Sequence, residues 1–87
     1  MKIVWDEPKR LANITKHRLD FAVLTEDFFA DALILSAKFG RYNAIGKDVN
    51  GVISVVFATL GLEGISVISM RRVSKMERRL YNEHLKG

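Results

Sequence analysis

A chain of 87 residues, 48% apolar with a single Pro, can bury one hydrophobic core but not two, and its lack of cysteine excludes disulfides, thiolate metal sites and a cysteine nucleophile. Its net charge of +4 is unevenly spread: residues 1–70 hold eight basic and eight acidic side chains, while residues 71–87 hold six basic ones against Glu77 and Glu83. The whole excess lies in the last segment and points to an anionic partner, whether nucleic acid, an acidic protein or a membrane surface.

Lys2–Trp5 is short and β-prone, and Asp6 followed by Pro8 is a helix start, because Pro costs little in a first turn whose N–H groups have no partner. Charge at Asp6 comes too early for a secretory apolar region, and no run approaches the roughly 20 apolar residues of a membrane span, so the cytosol is the expected compartment. The first helix is expected to run to about His17. Leu11 and Ile14 share one face, and Lys9, Asn13 and Lys16 follow i, i+4, i+7 spacing on a mostly basic one, with His17 beside them.

Asp20 is placed to cap a second helix through "FAVLTEDFF", where Phe21, Leu24 and Phe28 recur as a core stripe. The period then changes. "ALILSAKF", "RYNAIGK", "VISVVFAT" and "ISVISM" are short and β-branched or alternating, and "DVNG" and "GLEG" between the last three supply turns. An antiparallel meander of three or four strands follows, with "VISVVFAT", the most apolar, at its centre. The final helix begins at Ser74, whose spacing to Glu77 matches a capping box. Val73, Met76 and Leu80 form its expected packing face, and Lys75, Arg78, Asn82 and Lys86 its exposed one, with Arg79 alongside. The reading is one α+β domain over residues 1–87.

No glycine-rich phosphate loop, nucleophile elbow or metal-spaced histidine pair is present, so any catalysis is expected to run without metal or cofactor. His17 is either a histidine at a helix C-terminus meeting the last carbonyls, or a proton-transfer group titrating near neutral pH. Alternation sends Arg71 and Arg72 to opposite faces of their strand, so one points toward whatever covers the sheet. That one needs an anionic ligand or an internal carboxylate such as Glu77, which either closes the cap or holds an arginine. Arg41, at a strand start, fits a solvated strand end or a phosphate contact. Trp5 and Tyr81 read as core or edge aromatics.

Taken together, "VWDEPKRLANITKH", "DFAVLTEDFF", "GRYNAIGK" and "ISMRRVSKMERRLY" resemble the BrnT family of type II toxins, partners of BrnA-like antitoxins. The resemblance rests on Trp5-Asp6, Lys9, Asn13, Lys16-His17, Phe21, Arg41 with Gly46, Ile68-Ser69-Met70-Arg71, and Glu77-Arg78 with Tyr81. Three positions depart from it: Arg18 stands where the family commonly has Gly, Ser66 where it commonly has Arg, and Gly40 where an acidic residue is common. The resemblance implies a RelE-like domain with two N-terminal helices on an antiparallel sheet and a C-terminal helix. It also implies metal-independent RNA cleavage by 2′-hydroxyl attack, and neutralisation by a DNA-binding antitoxin that represses the operon. On it, His17, Lys16, Arg41 and Arg71 are the expected catalytic residues, and Lys9, Arg72, Arg78 and Tyr81 the expected RNA contacts. The rival reading is a module that binds nucleic acid or a protein partner without catalysis.

Overall fold

A computed structural model describes residues 1–87. In chain order it contains strand β1 (Lys2–Trp5), helix α1 (Glu7–His17), a 3-10 turn (Phe21–Val23), helix α2 (Glu26–Asp31), strands β2 (Leu33–Ser36), β3 (Tyr42–Asp48), β4 (Gly51–Leu60) and β5 (Gly64–Arg72), and helix α3 (Lys75–Leu85). The strands form one sheet in the order β1-β5-β4-β3-β2, with β4 central as its apolar run predicts. β2 through β5 are an antiparallel meander, whereas β1 pairs with β5 in parallel, Lys2 opposite Gly64 and Trp5 opposite Val67.

The expected three- or four-stranded antiparallel sheet is therefore corrected to a five-stranded mixed one. The reason is non-local: β1 pairs with a strand some sixty residues later, and no local pattern marks that partner or its direction. The expected single second helix is also corrected. Asp20 does cap a turn, accepting from the Ala22 N–H, but Leu24 is extended with ψ 137° and breaks the helix. Thr25 caps α2 afresh by accepting from the Phe28 N–H. Phe21, Leu24 and Phe28 are buried all the same, because extended and helical backbone here deliver the same side chains inward.

One sheet face carries the main core. Ala44, Ile53, Val55, Phe57, Ile65, Val67 and Met70 pack against Leu19, Phe21, Leu24, Phe28, Phe29 and Ala32. Gly46 belongs to this packing, since a Cβ there would lie 2.8 Å from the Phe28 ring and 3.3 Å from the Ala32 methyl. Its missing side chain lets α2 sit close on β3.

On the other face lie Asn43, Ile45, Ser54, Ser69 and Arg71, and α3 covers part of it. The helix packs by Glu77 and Tyr81, while Met76 is 70% exposed and Leu80 37%. This corrects the expected stripe of Val73, Met76 and Leu80. A hydrophobicity pattern assigns Glu77 outward, but polar partners on the sheet draw it in.

In β5 the register with β4 jumps: Val56 faces Ser69, yet Phe57 faces Val67, so Ile68 is an unpaired extra residue, a β-bulge. Strict alternation after Ile65 and Val67 puts Ser69 and Arg71 into the core. The bulge shifts the phase, so Met70 is buried instead and Arg71 emerges on the α3 side.

Candidate active site

α1 follows directly from β1 and continues along the edge of β5 that β1 leaves open. Asp6 caps the helix by accepting from the Lys9 N–H, with Pro8 in the first turn as read from the sequence. Asn13 locks it in place. Its Nδ2 donates to the Leu19 carbonyl at 2.9 Å and its Oδ1 accepts from the Met70 N–H at 3.0 Å, satisfying a backbone donor at the open edge. Helical spacing assigns Asn13 to a basic polar face, yet it is buried. Asn in the middle of a helix is a poor helix former and is the one available signal of this inward role.

The helix ends on Arg18 in the left-handed region, φ 58°, with its N–H on the Ile14 carbonyl. That geometry favours glycine, which accounts physically for the glycine expected at this position.

Between α1 and β5 runs a shallow groove of about 280 Å³, lined by Lys9, Ala12, Asn13, Lys16, His17, Ile68 and Ser69. Three of the expected residues, Lys9, Lys16 and His17, thus share one wall. The bulge supplies the floor. Arg71 lies two residues beyond Ser69 on the same face of β5, a step of about 7 Å along a strand.

A carboxylate holds Arg71. Its Nη1 and Nη2 donate to the two oxygens of Glu77 at 2.7 and 2.9 Å. Glu77 also accepts from the Ser74 N–H at 2.9 Å, while its own N–H donates to Ser74 Oγ, completing the capping box. Ser54 Oγ and Asn43 Nδ2 stand 3.4 and 3.5 Å from the same carboxylate. Both alternatives for Glu77 therefore hold at once. The Arg71 guanidinium, opposed by desolvation and helped by the Ser74 N–H, holds the Glu77 carboxyl down to about 2, and Glu77 in turn raises Arg71. So acidic a group is a weak base, and Glu77 acts by positioning Arg71, which keeps a 40% exposed side chain. Asn43 and Ser54 join the site without being motif positions of the sequence. Their signal is a pair of polar residues interrupting apolar strands.

The other expected residues lie elsewhere. Arg41 is exposed in the loop before β3, two strands from β5. Arg72 faces away from Arg71 and donates to the Asn50 carbonyl at the β3–β4 turn. Arg78 is exposed on α3. Tyr81, an RNA contact on the resemblance but a core or edge aromatic by its chemistry, is buried at 6% exposure and stacked on His84, so its ring fastens α3 to the body. Its i+4 spacing from Glu77 aligns it with the packing side of the helix.

Fold and groove define a small α+β domain that gathers two lysines and one histidine on a mixed sheet, with an arginine held by Glu77 on the same sheet face. A family model described as "Ribonuclease toxin, BrnT, of type II toxin-antitoxin system" matches residues 5–77. A crystal structure of the Brucella abortus ribonuclease toxin BrnT is 50% identical, spanning 86% of this chain and 99% of that one, with a TM-score of 0.79. No curated protein matches the chain. The chain belongs to the BrnT family of type II toxins.

Proposed function

We propose that this chain is a metal-independent endoribonuclease toxin acting at the groove between α1 and β5. The observation that carries the proposal is that Lys9, Lys16 and His17 face Ser69 across that groove, with Arg71 two residues farther along the same face and held by Glu77. Cleavage by 2′-hydroxyl attack needs a group to take the 2′ proton, a group to protonate the departing 5′ oxygen, and cations beside the phosphorane. The 2′ oxygen bonds to phosphorus as the bond to the 5′ oxygen breaks, leaving a 2′,3′-cyclic phosphate and a 5′-hydroxyl. His17, assisted by Lys16, moves a proton. Arg71 stabilises the charge, its planar fork suited to two phosphate oxygens. Lys9 and Arg78 track the backbone. The type II class brings an antitoxin partner, and a BrnA-like DNA-binding protein that also represses the operon is its proposed identity.

The test is incubation of purified protein with RNA in EDTA, followed by end analysis. Wild type is expected to leave 2′,3′-cyclic phosphates. His17→Ala and Arg71→Ala are expected to bind antitoxin normally and to lose on the order of 100-fold or more in cleavage rate. Binding without product in the wild type supports the non-catalytic module instead, and wild-type rates in both variants overturn the assigned site.

A further inference from the structure

The loop from Ala37 to Arg41, between β2 and β3, holds an aromatic ring that the core does not use. Phe39 is 90% exposed, whereas Phe21, Phe28, Phe29 and Phe57 are all buried. Its backbone is left-handed, φ 61°, followed by Gly40 at φ 70°. A bulky side chain is disfavoured there and glycine is not. The turn is closed around it by the Ala37 N–H on the Arg41 carbonyl at 2.9 Å and the Arg41 N–H on the Lys38 carbonyl at 3.3 Å. Neither burial nor conformation accounts for phenylalanine at this place, and strained residues of this kind concentrate at functional sites.

Its neighbours indicate the ligand. Lys38 and Arg41 flank the ring, both exposed and neither engaged in any of the protein's ion pairs. A lone ring between two free cations is the combination that holds single-stranded nucleic acid, the bases stacking on the ring and the phosphates meeting the charges. A protein anchor would instead continue into adjoining apolar surface, and the residues next to Phe39 are Lys38 and Gly40.

The register places the loop beside the groove's face. Asn43 lies in one row with Val56 and Ser69, a groove residue. Arg41 is two residues before Asn43, so alternation returns it to the same face, two strand spacings or about 10 Å across from β5.

We propose that Phe39 is a stacking platform for a base of single-stranded RNA, clamped by Lys38 and Arg41 and lying beyond the α1–β5 groove; this rests on the ribonuclease reading above. The probe is a fluorescein-labelled single-stranded RNA of random sequence, 2′-O-methylated so that it cannot be cleaved through the 2′ oxygen. Phe39→Gly is expected to weaken its binding roughly 5- to 150-fold, the range that base–aromatic stacking spans. Phe39→Trp is expected to retain binding, and Val49→Ala, altering another exposed apolar side chain at the β3–β4 turn, to leave it unchanged. Phe39→Gly is also expected to melt at or above the wild-type temperature, because the substitution relieves the backbone and uncovers no core. A ring with a purely structural role predicts the opposite shift. Wild-type binding with Phe39→Gly unaffected overturns the stacking platform alone, and failure of wild type to bind the probe overturns it together with the ribonuclease reading. Loss of antitoxin binding with RNA binding intact makes the ring a protein anchor and likewise overturns the proposal.

Discussion

The carboxylate of Glu77 closes the α3 cap and grips Arg71 with both oxygens, so its replacement separates two contributions. Gln in its place can still accept the Ser74 N–H but has no charge for the guanidinium. Glu77→Gln is expected to cost about 1–2 kcal/mol at neutral pH, a modest figure because the half-exposed Arg71 can recover water. The pH dependence has a definite sign. The folded carboxyl titrates at about 2 against an ordinary value of 4.5, so the unfolded chain binds more protons in between. The stabilisation is complete above about 4.5 and lost as pH falls toward 2. Melting curves of wild type and Glu77→Gln should therefore converge over that window, and a constant gap would mean that the ion pair contributes nothing. Arg18 makes the complementary case. With φ 58° and an exposed side chain, Arg18→Gly is expected to stabilise by about 0.5–1 kcal/mol, raising the melting temperature by several degrees in calorimetry.

At the scale of elements, the placement of α1 depends on one amide. Asn13 joins the helix to the backbone of β5 and to the loop at Leu19, and Arg10 adds an ion pair to Asp20 at 3.1 Å on the exposed side. Asn13→Ala leaves a buried N–H and a buried carbonyl without partners and is expected to cost roughly 2–4 kcal/mol. Hydrogen exchange at the Met70 amide reports on it directly: protection there should fall before that of the β4–β5 ladder, and unchanged protection would refute the tie. Because Lys16 and His17 lie in the turn after Asn13, the same loss should loosen the groove wall. The α3 seam is of the other kind, an aromatic ring and an ion pair. The sequence showed where α3 begins, through Ser74 and Glu77, but not which side it buries, because a carboxylate with four sheet and cap partners behaves as an inward residue.

For the whole molecule, what could be read from the chain was what local chemistry decides. Asp6 and Pro8 mark the start of α1, the turn residues between Asp48 and Gly51 and between Gly61 and Gly64 mark the hairpins, and the apolar run from Val52 marks the central strand. What could not be read depends on distant partners. β1 finds β5 through backbone pairing that any β-prone segment offers, and the direction of that pairing has no local signature. The site divides in the same way. The clustering of Lys9, Lys16 and His17 follows from helical spacing, but the approach of Ser69 and Arg71 needs the sheet; Tyr81 is the core aromatic that its own chemistry suggests and not the RNA contact that the resemblance implies. Phe39 has no distinguishing signal in the sequence, because a lone phenylalanine at a strand end resembles every other core residue.

The extra residue in β5 has one more consequence. Without Ile68 the strand reads Ile65, Val67, Met70 and Arg72 on one side and Ser66, Ser69 and Arg71 on the other, a perfect alternation needing no bulge. The core has no need of Ile68. What the residue marks is a seam: β1 is fastened to β5 as far as Val67, and Asn13 is fastened at Met70, so Ile68 lies between two anchor points of one continuous β1–α1 arm. Taking it out would leave Val67 and Met70 opposite Phe57 and Val55 as before, and would strip from the groove a residue that lines it together with Lys16 and His17.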